Sequence, residues 1–158
     1  MSNEIKKLFE NTKNSSSKWE KYFDIYENIF SKYKDKDITF VEIGVHNGGS
    51  LGIWRQYFSK NSKIIGIDIN NECKKFEDKE NNIEIFIGNQ SDENFWKFFF
   101  EKVGKVDIIL DDGGHTNLNQ IITTACTIKN INDGGVLLIE DAHTSYMPHY
   151  NSQIKQSF

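Results

Sequence analysis

From residue 37 onward, short apolar runs alternate with longer amphipathic stretches. The runs are Ile38–Val45, Lys63–Ile69, Ile83–Ile87, Val106–Leu110 and Val136–Ile139. They are continuous, rich in β-branched residues and bounded by Gly, Asn or Asp, as strands covered on both faces should be. Helices are predicted near Leu51–Phe58, after a cap at Ser91 or Asp92, and from about Leu118 to Lys129. The aromatic side chains Phe95, Trp96, Phe98, Phe99 and Phe100 suit packing of the second of these helices against a sheet. Asp133-Gly-Gly135 is read as the turn into the fifth strand. Strand–helix alternation of this kind predicts an α/β, doubly wound parallel sheet.

Residues 1–36 read differently, as an N-terminal helical segment ahead of a core spanning 37–158. Tyr22, Tyr26, Phe30 and Tyr33 recur at helical spacing, so one amphipathic helix is expected, started by a loop at Asn14–Ser17. It either packs on the sheet or covers a ligand site.

The chain has 158 residues, enough for one domain with a substantial core, and a formal charge of −4. Arg55 is its only arginine, which argues against nucleic acid as a partner. No run approaches the roughly 20 apolar residues of a membrane span. Cys73 and Cys126 lack metal-ligand spacing and are expected to be reduced. A cytoplasmic location follows as an expectation.

Candidate chemistry gathers at strand ends. The fourth strand runs into Asp111-Asp-Gly-Gly-His115, and the fifth into Glu140-Asp141 with His143 close behind. Adjacent parallel strands would bring Asp111, Asp112, Glu140 and Asp141 to one sheet edge. Converging carboxylates repel unless a proton or cation intervenes, and a hard divalent ion with oxygen ligands suits them.

Glycines of a second motif, Glu42-Ile-Gly-Val-His-Asn-Gly-Gly-Ser50, sit on the first strand-to-helix turn. There they let a ligand approach the backbone, or serve a turn alone. The spacing from Gly44 to Gly48 is not that of a dinucleotide fingerprint, which disfavours a dinucleotide-dependent oxidoreductase. Glu42 would suit a ligand bearing an ammonium group, and Asp68, ending strand two, would hold ribose hydroxyls. Asn89, Gln90 and Ser91 follow strand three, where an adenine would lie; Ser91 is equally a helix cap. His46 reads as a wall of this site and His149 as an exposed tail residue.

Glu-x-Gly-x-x-x-Gly followed by an acid after strand two resembles the class I S-adenosylmethionine-dependent methyltransferases. The set Val41–Val45, Gly48–Leu51, Ile65–Asp68, Asp111–His115 and Ile139–Tyr146 resembles a narrower family, the metal-dependent sugar O-methyltransferases of the macrocin and mycinamicin type. That resemblance implies Mg2+ and S-adenosylmethionine as cofactors, with Asp112, Glu140 and Asp141 as metal ligands and His115 as general base. It places Gly44, Gly48, Ser50 and Asp111 with the other residues named above in the cofactor site, and His143 and Tyr146 at the substrate rim. The expected acceptor is a sugar hydroxyl, on a nucleotide-linked or surface-polysaccharide sugar. The class I resemblance implies a Rossmann-like core of seven strands, with this chain's five in the order 3-2-1-4-5, and Ala142–Phe158 leaves no room for the last two. The chain is therefore expected to be truncated, with strand five as an edge that later residues or a second copy cover. A cofactor-binding module without turnover is the alternative function.

Overall fold

The computed structural model describes residues 3–12 and 18–150, so the expected Asn14–Ser17 loop lies outside the described residues. Five parallel strands, β1 (Thr39–Ile43), β2 (Lys63–Asp68), β3 (Ile83–Ile87), β4 (Val106–Asp111) and β5 (Ile131–Ile139), form one sheet. Their order is β3-β2-β1-β4-β5, as the class I resemblance implies. The helices are α1 (Glu4–Asn11), α2 (Glu20–Phe30), α3 (Gly49–Tyr57), α4 (Glu93–Val103) and α5 (Asn117–Thr127).

Strand alternation sorts the core into two layers. Phe40, Ile64, Ile108 and Leu110 face α1, α2 and α3, whereas Val41, Ile43, Ile65, Ile67 and Ile109 face Phe95, Trp96 and Phe99 of α4. Trp54 is the hub of the first layer. Its ring centroid lies 5.2–6.4 Å from those of Phe9, Tyr26, Phe30, Phe40 and Phe58. Complete burial of an indole requires a partner for its N–H. Glu42 accepts it, because the same pleat that puts Val41 and Ile43 on the α4 face turns Glu42 toward α3.

The sequence reading missed α1, whose eight residues carry only Ile5, Leu8 and Phe9 on one face. Tertiary contact makes up for that brevity. Glu27 of α2 accepts the first two amide hydrogens of α1, and Asn3 caps it through Lys6 N. Ile5 and Phe9 join the same core cluster as Phe40 and Trp54, so the N-terminal helices and the sheet share one interior. Phe98, expected in the core, is 49% exposed. Its α4 neighbours Phe95 and Phe99 take the buried face instead.

Pairing of β5 begins at Ile131, earlier than the Val136 expected. The predicted turn is a bulge inside the strand, where the register shifts between Val106 and Ile108. Gly134 supplies its positive φ of 78°, and Asn132 donates to Asp107 at 2.8 Å. β5 is the sheet edge. Val136 and Leu138 pack on one helical layer and Leu137 on the other, each half-buried. The expected covering of its open edge falls largely on residues 151–158, outside the described residues. Among the described residues no helix is long and apolar enough to cross a membrane.

Candidate active site

A cleft of about 770 Å³ opens at the carboxyl ends of β1, β2 and β4. The chain leaves β1 toward β2 on one side and β4 lies on the other, so the cleft sits at the topological switch point where such sheets bind ligands. Gly44, His46, Ser50, Asp68, Asn89, Gln90, Asp112 and His115 all line it. Glu42, Gly48, Ser91 and Asp111, four of the expected cofactor residues, do not line it.

Each of those four has another task. Glu42 is fully buried and accepts from Ser50 Oγ at 2.6 Å and Trp54 Nε1 at 3.1 Å. Burial raises its pKa, against the pull of Lys18. Gly48 has φ 70° at the start of α3, where a Cβ would lie 2.6 Å from the Phe76 ring. Ser91 accepts a hydrogen bond from Asn119 Nδ2 at 2.6 Å, while Asp92 is the residue that caps α4. Asp111 is 2% exposed and braced beneath the loop that follows it: Gln90 Nε2 reaches both its oxygens at 3.0 and 3.1 Å. Burial, the main influence, raises its pKa. Gln90 also accepts Gly114 N at 2.7 Å, tying the β3 loop to the Asp-Asp-Gly-Gly-His loop.

Asp68 braces the glycine loop as well as lining the cleft. Its Oδ2 accepts Val45 N at 2.9 Å and His46 N at 3.1 Å, and Oδ1 accepts Asn70 N at 2.8 Å. Gly44 shows why this loop needs glycine. At φ 96° an added Cβ would lie 2.1 Å from the Asp112 carbonyl oxygen, so the β1 and β4 loops approach backbone to backbone.

Asp112, His115 and Asp141 each offer a ligand atom, all within 4.8 Å of one another. His115 Nε2 lies 3.6 Å from Asp112 and 4.0 Å from Asp141. His115 and Asp141 both have left-handed backbones, φ 56° and 54°. Such strain persists where surroundings over-determine it, and Thr144 supplies part of that constraint. Its hydroxyl is 2.7 Å from His115 O and 2.8 Å from Asp141 O, bridging the loops after β4 and β5.

Glu140, expected to ligate beside Asp112 and Asp141, is placed otherwise. Its Oε1 receives Tyr26 OH and Lys18 Nζ, the latter at 2.8 Å, and Lys18 also bonds Asp112 Oδ2. Burial lifts its pKa to about 7, with Asp112 adding to the rise and Lys18 opposing it. Burial alone would lower the Lys18 pKa, but Glu42, Glu140 and Asp112 together outweigh it and raise it. The cation demanded by converging carboxylates is thus present, as an ammonium from the chain itself. Tyr22 donates to Asp141 at 2.6 Å, and burial first, then that carboxylate, pushes its phenol up to about 12.

Sequence reasoning missed Lys18 and Thr144, and gave Tyr22 and Tyr26 to a helix that packs on the sheet or covers a ligand site, without a polar role of their own. Lys18 carried no signal in a lysine-rich chain, and Thr144 lay inside the resembling motif without a role. Of the expected substrate rim, His143 lies 3.9 Å from Asp141 and its ring meets that of Trp19, while Tyr146 is 74% exposed.

No protein-family model matches the chain. It is 31% identical over 147 residues to the 8-demethyl-8-alpha-L-rhamnosyl tetracenomycin-C 2'-O-methyltransferase of Streptomyces olivaceus, covering 87% of this chain and 38% of that protein. It is 31% identical over 135 residues to the mycinamicin VI 2''-O-methyltransferase of Micromonospora griseorubida, covering 81% and 33%. The solved structure of MycE methyltransferase in complex with Mg and SAH superposes with a TM-score of 0.82 at 27% identity, over 96% of this chain and 40% of that one. The chain belongs to the class I methyltransferases. Its relatives within that class are the sugar O-methyltransferases, as the motifs after β4 and β5 implied. The chain spans about two fifths or less of the length of these relatives. An archaeal fibrillarin, at 18% identity and a TM-score of 0.54, shares the class I fold alone.

Proposed function

We propose that the protein binds S-adenosylmethionine in this cleft and, with a hard divalent cation, directs methyl transfer to a sugar hydroxyl. One observation carries the reading: a single cleft is lined both by the glycine loop with Asp68 and by Asp112 with His115. Adenosine would lie along Asp68 and Asn89, and the methionine part would run past Gly44. That path leaves the sulfonium methyl facing the carboxylates. Ser50 lines the cleft, but its hydroxyl is given to Glu42, so only its lone pairs face a ligand.

The donor set after β4 and β5 fits Mg2+. Carboxylate oxygens are its preferred ligands, and Asp112 and Asp141 stand within one ion's reach of each other. Glu140 joins them if Lys18 releases it. A bound cation would supply Lewis-acid stabilisation of a sugar oxygen as it loses its proton. His115, whose Nε2 faces Asp112 and Asp141, is assigned to take that proton. The hydroxyl oxygen then forms the new C–O bond as the S–CH3 bond breaks, its electrons returning to sulfur to leave S-adenosylhomocysteine. Trp19, 65% exposed beside His143, offers the acceptor a flat apolar face.

Methyl transfer from S-adenosylmethionine to nucleotide-linked and polysaccharide hexoses, with and without chelator, tests the reading. Transfer that chelator abolishes and Mg2+ restores is the expected result; transfer indifferent to chelator overturns the metal assignment. A second reading, a cofactor-binding module without turnover, draws on Lys18 filling the cation position. It predicts S-adenosylmethionine binding and no transfer to any of these acceptors.

A further inference from the structure

Two cations have a claim on the same carboxylates. The Lys18 side chain is 4% exposed, and its ammonium bonds Asp112 Oδ2 and Glu140 Oε1, with Glu42 adding a third negative charge nearby. Tyr26 reaches the same Glu140 oxygen. So held, Glu140 stands outside the group of Asp112, His115 and Asp141, the three residues whose ligand atoms converge. In that group His115 takes the third place. A histidine whose nitrogen ligates a cation has no lone pair there for a proton, so this arrangement removes the base from use.

We propose that Lys18 is a positioning residue, an internal counter-ion that competes with a divalent cation for Asp112 and Glu140. With the ammonium seated, a cation meets only Asp112, His115 and Asp141, and meets them beside a like charge. With the ammonium withdrawn, Glu140 replaces His115 and the imidazole is free to accept a proton. This rests on the metal-assisted reading above and says how the site passes from its cation-free to its loaded form. Apparent affinity falls by the fraction of molecules in the competent state. If Lys18 withdraws in roughly a tenth of the molecules, its removal tightens binding about tenfold.

The experiment is a Mn2+ titration of the protein, without S-adenosylmethionine, followed by electron paramagnetic resonance. Lys18→Met should bind Mn2+ about tenfold more tightly or better than the unsubstituted protein, whereas Lys18→Arg, which keeps the charge, should not. His115→Ala should weaken Mn2+ binding when Lys18 is present and have little effect beside Lys18→Met, where Glu140 has taken over. A merely structural lysine would not move that second comparison. Should Lys18→Met fail to fold, Lys18→Gln is judged by the same criteria. Equal or weaker Mn2+ binding by the neutral variant overturns the proposal, as does no binding by any variant. Calorimetry with S-adenosylmethionine on the same samples separates the readings. Cofactor binding with no Lys18 effect sinks this inference alone, and absence of cofactor binding sinks the methyltransferase reading whatever Mn2+ does.

Discussion

Replacing Gln90 by Leu tests whether this residue braces the site or serves the cofactor. The substitution nearly keeps the volume and removes every polar contact. Asp111, 2% exposed, would lose its two bonds from Nε2, and Gly114 N would lose its acceptor. Each hydrogen bond to a charged group contributes about 1.5–3 kcal/mol, while Gly114 is exposed and its N–H can turn to water. The expected loss is therefore roughly 3–5 kcal/mol, equivalent to a melting point roughly 6–20 °C lower for a domain of this size. Urea denaturation should show a lower midpoint with an unchanged slope. The deficit should also depend on pH. The Asp111 carboxyl is already raised by burial, and losing Gln90 raises it further. A folded state that binds the proton more tightly than the unfolded chain gains stability on acidification, so the deficit should shrink as pH falls toward about 4. An unchanged midpoint, or a deficit constant with pH, refutes the bracing role. Weaker S-adenosylmethionine binding at unchanged stability would make Gln90 a cofactor contact instead.

Asp68→Ala should weaken S-adenosylmethionine binding by roughly 10- to 150-fold, the equivalent of one charged hydrogen-bonding partner, as read by calorimetry on a folded variant. Gly44→Ala should destabilise by more than about 2 kcal/mol in urea melts. Its Cβ meets the backbone of Asp112, and alanine resists a φ of 96°. Glu140 gives a pH signature of its own. Its carboxyl titrates near 7 in the folded state against about 4.5 ordinarily, so the folded state holds the extra proton between those values. Stability should fall as pH rises through that window, by at most about 3 kcal/mol, and Glu140→Gln should flatten the slope. A slope that survives Glu140→Gln assigns it to another group.

The sheet was legible because its strands are apolar runs with sharp polar ends, and right-handed parallel crossovers leave few topologies for such a pattern. All five strands could be located from that pattern, whereas the 3-2-1-4-5 order came with the class I resemblance. The carboxylate cluster was legible for the same reason, since Asp111-Asp112 and Glu140-Asp141 terminate neighbouring strands. What alternation does not show is which of two adjacent acids points outward. Asp111 turned beneath its loop and Asp112 into the cleft, and Glu42 went to the α3 face as the pleat requires. Lys18 was invisible because its position depends on how an N-terminal helix docks across the whole sheet, a contact spanning 122 residues to Glu140. Local pattern carries no such information. The bulge in β5 was read as a turn because Asp-Gly-Gly signals both.

The most direct test of the central claim is a pair of calorimetric titrations of the protein with S-adenosylmethionine and with NAD. The cleft as described should bind the sulfonium cofactor and not the dinucleotide, because the Gly44–Gly48 spacing is not that of a dinucleotide fingerprint. Binding of NAD with none of S-adenosylmethionine would contradict the account.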